Sequence, residues 1–462
     1  MTGDRIRSSA GFPDNRYGRG KGVSLAIPDP GPFWRGVLER VPAVGNGTFS
    51  IVGGWVRDLF YFGPAGLRPE IDLVTRDGLP EWARAIGQAF DAEVHVETDF
   101  LTARVTVLSL GPGPIRIDLS QFRNEVYPVP GALPRVLPGS EHEDLLRRDF
   151  TMNALMLEWS PSLKEFVRLV DPFGGRADLG KKKIRLIRSE AFVEDPTRIL
   201  RWARFSVRMG LDSDPALLAA LSSSRSAPLW ESLGPARLSR EFGRLLEEPD
   251  PPGVLKTLAG AGMLDGLAVP GFLSAPRCLR LRRWTRFRAI FPPSGAEARN
   301  GSGASLRLMF LLALCFGLSR RRFAEFSGRM GFGKKEKDQI GEILYGSAMW
   351  PFGRFYRGFV NAAGPDPGSM AAHADRLGMG PVMLLALLAP ELDQPFWEAY
   401  LGKDRWAPPL VGGEVLTSFP AIAPSARGRM LAEIRALQRT GKLADRQAAL
   451  SFIRDRISEG WS

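Results

Sequence analysis

At 462 residues the chain is too long for one ordinary hydrophobic core and has room for about three domains. Its 62 Lys and Arg against 50 Asp and Glu leave a net charge of +12, which favours a polyanionic partner, most simply RNA or DNA. Cys278 and Cys315 stand far apart and outside any C-x-x-C spacing, and no apolar run nears the ~20 residues a bilayer demands, which argues against a disulfide framework, a zinc site and a membrane span.

The first 22 residues are polar, basic and glycine-rich without an apolar h-region, so a disordered tail and a cytoplasmic location are expected. Phe33, Val37, Leu38 and Val41 then recur at helical spacing. Ile51-Val52 reads as a short strand, Gly53-Gly54 as a tight turn, and Trp55 to Phe60 as the start of a helix. Without Cβ atoms at Gly53 and Gly54 a triphosphate can approach the main chain, and the helix N-terminus adds partial positive charge. After the loop Gly63-Pro64-Ala65-Gly66, Glu70 and Asp72 lie two apart on a second strand, so both carboxylates share one face. Two acids beside a phosphate-binding turn suit a divalent cation that bridges phosphate oxygens.

A helix from Leu79 to Phe90 and strands at 92–96 and 103–110 follow. The third strand, Ile115 to Leu119, turns Ile115, Ile117 and Leu119 inward and puts Arg116 and Asp118 on the other face. Asp118 is a candidate third carboxylate or, with equal weight, a surface acid paired with Arg116 or Arg123. The charged run Glu143 to Phe150 has the composition of a solvated helix end, and Asp195-Pro196 reads locally as an N-cap followed by Pro at the first helical position. On the helix that follows, Arg201, Arg204 and Arg208 form a basic stripe beside an apolar one of Leu200, Ala203 and Val207. Beyond residue 215 the chain reads as helical, with a linker at 291–304. The six arginines of 277–288 around Trp284 and Phe287, then Arg320 to Arg322 and Lys334, Lys335 and Lys337, are solvated helix faces or, summed over so basic a chain, contacts to a nucleic-acid backbone.

GGWVRDLF followed by EIDLVT resembles the head of the class II tRNA nucleotidyltransferase (CCA-adding enzyme) and bacterial poly(A) polymerase superfamily. YPVPGALPRV at 127–136, EDLLRRDFTMNAL at 143–155, DPFGGRADL at 171–179 and EDPTRILRWARFSVRMGL at 194–211 match in the same order. RLSREFGRLL at 237–246 more loosely resembles the motif that braces the family's neck, and PPLVGGEVLTSF and GKLADRQAAL resemble its tail motifs. The resemblance implies an α+β fold: after the disordered tail at 1–22, a nucleotidyltransferase head with a mixed β-sheet at 23–158, then an all-α neck at 159–270, body at 271–400 and RNA-binding tail at 401–462.

The resemblance also assigns roles. Glu70 and Asp72 would hold Mg²⁺, with Asp118 assisting; Gly53, Gly54, Arg57, Asp58, Arg147, Arg148, Asp149 and Asn153 would bind the nucleotide and its phosphates; Asp195, Arg198, Arg201 and Arg204 would read the base. An acceptor-only Asp195 beside a donor-only Arg198 suits the amino group and ring nitrogen of A and C and leaves G and U unpaired, so the implied substrates are ATP and CTP. The implied partner is the acceptor arm and 3′ end of tRNA, with no membrane and no obligate protein partner. The family usually carries Asp at the position of Glu70, which keeps a non-catalytic RNA-binding relative as one alternative. A poly(A) polymerase is the other, although LVTRDGLPEW follows Ile71-Asp72 here where those enzymes commonly carry a Gly-Arg-Arg-Phe type stretch.

Overall fold

The computed structural model describes residues 27–44, 48–108, 110, 113–224, 229–264, 274–290, 302–346, 357, 359, 361, 367–377, 379–389, 394–401, 409–439 and 441–460. The expected tail at 1–22 and most of the expected linker at 291–304 lie outside them. The chain forms two compact units, Met1–Arg237 with Gly260–Gly266, and Leu238–Ala259 with Leu267–Ser462.

The first unit opens with α1 (Gly31–Arg40), β1 (Phe49–Val52), α2 (Gly54–Phe62), β2 (Glu70–Thr75) and α3 (Leu79–Phe90). Strands β3 (Glu93–Glu97), β4 (Thr102–Val107) and β5 (Ile115–Gln121) follow, then a small antiparallel pair, β6 (Arg123–Val126) and β7 (Arg135–Pro138). After α4 (Glu141–Leu146) come β8 (Met156–Ser160) and β9 (Glu165–Val170). The seven-stranded sheet runs β3-β4-β5-β2-β1-β8-β9. It is mixed as expected, because β2 pairs with β5 in parallel while the other neighbours are antiparallel. The sheet continues through β9, past the head boundary expected at residue 158.

Alternation along the strands separates two faces. Ile71, Leu73, Ile115, Ile117 and Leu119 are buried, while Glu70, Asp72, Arg116 and Asp118 occupy the intervening positions. α3 runs from Leu79 to Phe90 as its periodicity predicts, burying Trp82, Ala83, Ile86 and Phe90 along one stripe, each large side chain worth about 1.5–3 kcal/mol. In α1 the inward stripe is Trp34, Val37 and Leu38. Phe33 is 45% exposed: it stands at the edge of that stripe, about 40° of helix from Val37 and about 100° from Trp34, and meets Trp34 edge-on at 5.5 Å.

The first unit closes with α5 (Gly175–Gly180), β10 (Lys183–Ile184), α6 (Ala191–Glu194), α7 (Thr197–Met209), β11 (Asp212–Ser213) and α8 (Pro215–Ser224). From there every described element is helical, as expected, including α9 (Pro235–Glu247), α10 (Pro251–Gly260), α11 (Ala275–Ile290), α12 (Ser302–Cys315), α13 (Arg320–Arg329) and α14 (Lys334–Tyr345). No described helix is long and apolar enough to cross a membrane.

The arginines of α11 correct an expectation. Arg277, Arg280 and Arg283 are buried, not arrayed for a nucleic-acid backbone. Arg280 donates to the carbonyls of Ala313 and Phe316 at 3.0 and 3.1 Å, and Arg283 to those of Leu387 and Ala389 at 2.9 and 2.6 Å. These carbonyls end two helices, α12 and Met379–Leu388, where no intrahelical donor remains and the dipole is negative. Trp284 and Phe287 are core residues, whereas Arg282, Arg286 and Arg320 to Arg322 are exposed.

Candidate active site

The open face of the sheet carries the acids. β2 and β5 pair with Glu70 opposite Arg116 and Asp72 opposite Asp118, so sequence spacing and strand register put three acids on neighbouring positions of one face. Arg116 pairs with Glu70 and gives its Nε to Asp118 Oδ2 at 3.0 Å, while Arg104 Nε holds Asp118 Oδ1 at 2.7 Å. Both readings of Asp118 therefore coexist: it faces Asp72 and is ion-paired, to Arg116 as expected and to Arg104. Arg123 instead lies 3.4 Å from Glu125 and donates to the carbonyl of Phe100.

Asp72 alone of the three has no hydrogen-bonding or ionic partner among the described residues. Its side chain opens into a cleft of ≈ 290 Å³ that Arg104, Asp118, Arg147 and Arg148 also line. Asp72 stays exposed to solvent, yet neighbouring protein atoms crowd its carboxyl and raise its pKa to about 6; Arg148 opposes this, and the charges of Asp118 and Glu70 add to it. Among the described residues no three His, Cys, Asp or Glu side chains converge as a ready-made metal cage. An unpaired acid flanked by two like charges nevertheless fits Mg²⁺, which commonly takes one or two protein carboxylates and completes its shell with phosphates and water.

The glycine turn lies against this acid. Gly53 has φ +73°, and a Cβ there would stand 2.8 Å from Arg148 Nη1 and 3.9 Å from Asp72 Oδ2. The N–H of Gly53 is taken by the carbonyl of Leu155 at 3.1 Å, and the first bond of α2 runs from Arg57 N–H to the carbonyl of Gly53 at 3.0 Å. The donors that the helix start leaves over are thus those of Gly54, Trp55 and Val56, not that of Gly53.

Two arginines enter the cleft from the segment after α4, which a Ser140–Glu143 capping box starts. Asp144, fully buried, binds Arg147 at 2.8 Å and Arg148 at 3.0 Å; burial opposes its charge, but the two guanidiniums outweigh burial and hold its pKa below the usual carboxylate value. Arg147 is further tied to Glu125 at 2.7 Å. Arg148 keeps a buried Nε without a partner and reaches the carbonyl of Asn153 only at 3.4 Å, so it is the one with donors to spare beside Asp72.

Four residues expected at the nucleotide instead bond one another. Arg57 binds Asp58 at 2.8 Å and Asn153 Oδ1 at 2.7 Å; Asn153 Nδ2 binds Asp149 at 2.8 Å, and Asp149 Oδ2 accepts from Arg201 at 2.6 Å. Arg57, Asp58, Asp149 and Asn153 are all buried, so the chain of charges fastens the glycine turn to α7 instead of facing solvent. Burial raises the Asp149 pKa, but Arg201, Asn153 and Arg198 overcome it and hold the carboxyl at about 2.

At the head of α7, Asp195 Oδ1 accepts from the N–H of Thr197 at 3.0 Å, its Oγ1 at 2.6 Å and Arg237 at 2.7 Å. Asp195 thus accepts a first-turn N–H as a cap does, but the N-cap of α7 is Pro196 and not Asp195 as expected. Arg198 donates to the carbonyl of Arg147 at 2.8 Å, lies over the ring of Tyr127 at 5.9 Å, and pairs through its buried Nη1 with Glu194 at 3.6 Å. The Arg198 N–H donates to the Asp195 carbonyl at 3.0 Å, and Tyr127, whose phenol burial chiefly pushes up in pKa, lies against the Arg198 side chain. Arg201 is held by Asp149 and Arg204 is buried, so neither belongs to the exposed basic stripe expected on α7.

Sequence reasoning missed Tyr127, Asp144, Arg104 and Arg237. Asp144 was legible, since acids three and four residues before two arginines pair on one helix face. Arg237, which also donates to the carbonyl of Gly131 at 2.6 Å, opens the bracing motif. Arg104 acts through cross-strand register and Tyr127 through tertiary contact, which leave no local signal.

One end of a mixed sheet thus carries paired acids beside a glycine turn and two cleft arginines. Residues 49–185 match the poly A polymerase head domain. The chain is 34% identical over 198 residues to the A-adding tRNA nucleotidyltransferase of Aquifex aeolicus, covering 43% of this chain and 23% of that protein. It is 35% identical over 228 residues to the CC-adding tRNA nucleotidyltransferase of Deinococcus radiodurans, covering 48% and 55%. A solved CCA-adding enzyme in complex with ATP shares the fold at 19% identity, with a TM-score of 0.63 over 92% of this chain and 96% of that one.

Proposed function

We propose that this chain is a tRNA nucleotidyltransferase that adds CMP, AMP or both to the 3′ end of tRNA from CTP and ATP, releasing pyrophosphate. The observation that carries the reading is the unpaired Asp72 carboxyl in a cleft beside Arg148. The 3′-hydroxyl of the RNA attacks the α-phosphate in line, which asks little covalent chemistry of the protein and much positioning and charge neutralisation.

Asp72, with Glu70 beside it, would hold Mg²⁺, which when bound supplies positive charge to the phosphate oxygens and lowers the pKa of the attacking hydroxyl. The spare donors of Arg148 and the N–H groups of Gly54, Trp55 and Val56 neutralise the triphosphate. Arg147 is the frame: anchored by Asp144 and Glu125, it turns its carbonyl to Arg198. Asp195 spends Oδ1 on Thr197 and Arg237, leaving Oδ2 as acceptor for an exocyclic amino group, while the Arg198 guanidinium would turn from Glu194 to supply the donor for a ring nitrogen. Adenine and cytosine satisfy both; guanine and uracil leave buried polar groups unpaired.

Purified protein incubated with tRNA lacking its 3′ end and with CTP alone, ATP alone or both should lengthen the RNA by discrete residues. Absence of incorporation with both Mg²⁺ and Mn²⁺ overturns the reading, and long homopolymer growth on generic RNA would replace it with poly(A) polymerase.

A further inference from the structure

Glu70 and Arg116 face each other across the parallel β2–β5 pair, and their side chains are ion-paired. The same guanidinium gives its Nε to Asp118 Oδ2 at 3.0 Å, so one cation spans the two acids on either side of Asp72. Asp118 is held independently by Arg104 at 2.7 Å. The Glu70–Arg116 contact is open to solvent, with 48% and 45% of the two side chains exposed, and exposed pairs are weak enough to exchange. Glu has one methylene more than Asp, an extra reach of about 1.5 Å, and so can lean sideways along the sheet to the neighbouring strand.

We propose that Arg116 is a positioning residue that occupies Glu70 in the metal-free head and yields it when a divalent cation enters. Guanidinium and cation compete for one carboxylate. In the clasped state the cation meets Asp72 alone; in the released state Glu70 turns back to join it, while Arg116 stays anchored through Asp118. The clasp rests on the reading of Asp72 as a cation ligand and adds what that reading lacks, a reason why the metal requirement of this head depends on a residue outside the acid pair.

The test measures Mn²⁺ binding to the full-length protein by electron paramagnetic resonance of the free ion, without nucleotide or RNA. R116Q should bind Mn²⁺ about three- to ten-fold more tightly than wild type, the order of effect an exposed pair and its nearby charge produce. E70Q/R116Q should bind no more tightly than E70Q, because the gain comes through Glu70. Unchanged or weaker binding by R116Q overturns the clasp. So does a gain that persists in E70Q/R116Q, which marks only the loss of a positive charge. If R116Q does not fold, R116K is read in its place: it keeps the charge but loses the fork that spans two acids, so it should bind more tightly than wild type, and equality overturns the proposal. If wild type lengthens tRNA while R116Q binds Mn²⁺ as wild type does, the clasp fails and the transferase stands. If no nucleotide is transferred but the gain of R116Q vanishes in E70Q/R116Q, the clasp stands and the transferase fails.

Discussion

Asp72 and Asp149 lie in one head and respond oppositely to pH. The Asp72 carboxyl is raised to about 6, so the folded chain binds its proton more tightly than the unfolded chain does. Keeping it ionised opposes folding above that pH, and the opposition disappears as pH falls through about 6. Asp72→Asn should therefore raise the melting temperature of the metal-free protein at about pH 7.5, with the gain gone near pH 4, while nucleotide addition falls at least 100-fold. Thermal melts in chelator across pH give the first result and gel-resolved extension the second. Asp149, held at about 2, stabilises the fold above the ordinary carboxylate pKa and loses that contribution as pH drops towards 2. Asp149→Asn should cost on the order of 2 kcal/mol in urea titrations at pH 7, with the deficit shrinking below about pH 4.

At the scale of elements, the turn between β1 and α2 admits only glycine at its first position. Gly53→Ala would strain a backbone at φ +73° and press on Arg148 Nη1 at 2.8 Å, so activity should fall more than ten-fold while stability drops by about 1 kcal/mol. Steady-state extension assays beside denaturant melts separate the two. On α11, Arg283→Ala would leave the carbonyls of Leu387 and Ala389 without this donor in the core, a loss of about 1–3 kcal/mol readable in urea unfolding.

These elements also mark how far the sequence could be read. α3 and the β2–β5 acids were legible because burial on one face writes a period of 3.6 or 2 into the chain. Arginine writes no such record: its apolar stem lines a core while its head finds carbonyls, so the buried Arg280 and Arg283 look in sequence like solvated charge. The Arg57–Asn153–Asp149–Arg201 chain was hidden for a related reason. Its members were visible as polar residues near the site, but whether a polar group meets a ligand or another polar group is decided by tertiary packing.

For the whole molecule, the net charge of +12 is spread unevenly in use. Arginines buried under helix ends on α11 are committed to the fold, whereas Arg320, Arg321 and Arg322 at the start of α13 are exposed. Replacing these three with Gln should weaken tRNA binding several-fold at low salt and flatten its salt dependence by about one logarithmic unit of slope per lost phosphate contact. Fluorescence anisotropy over a salt series reads both, and an unchanged slope would assign these arginines to solvent.

The register of β2 against β5 has an evolutionary consequence. Because Ile71 and Leu73 alternate with Glu70 and Asp72, sliding this strand by a single position would expose the oily residues and swallow the acids in the same stroke. Selection that merely keeps the head folded therefore preserves the register that places the acids, and leaves only their identity to selection on the chemistry.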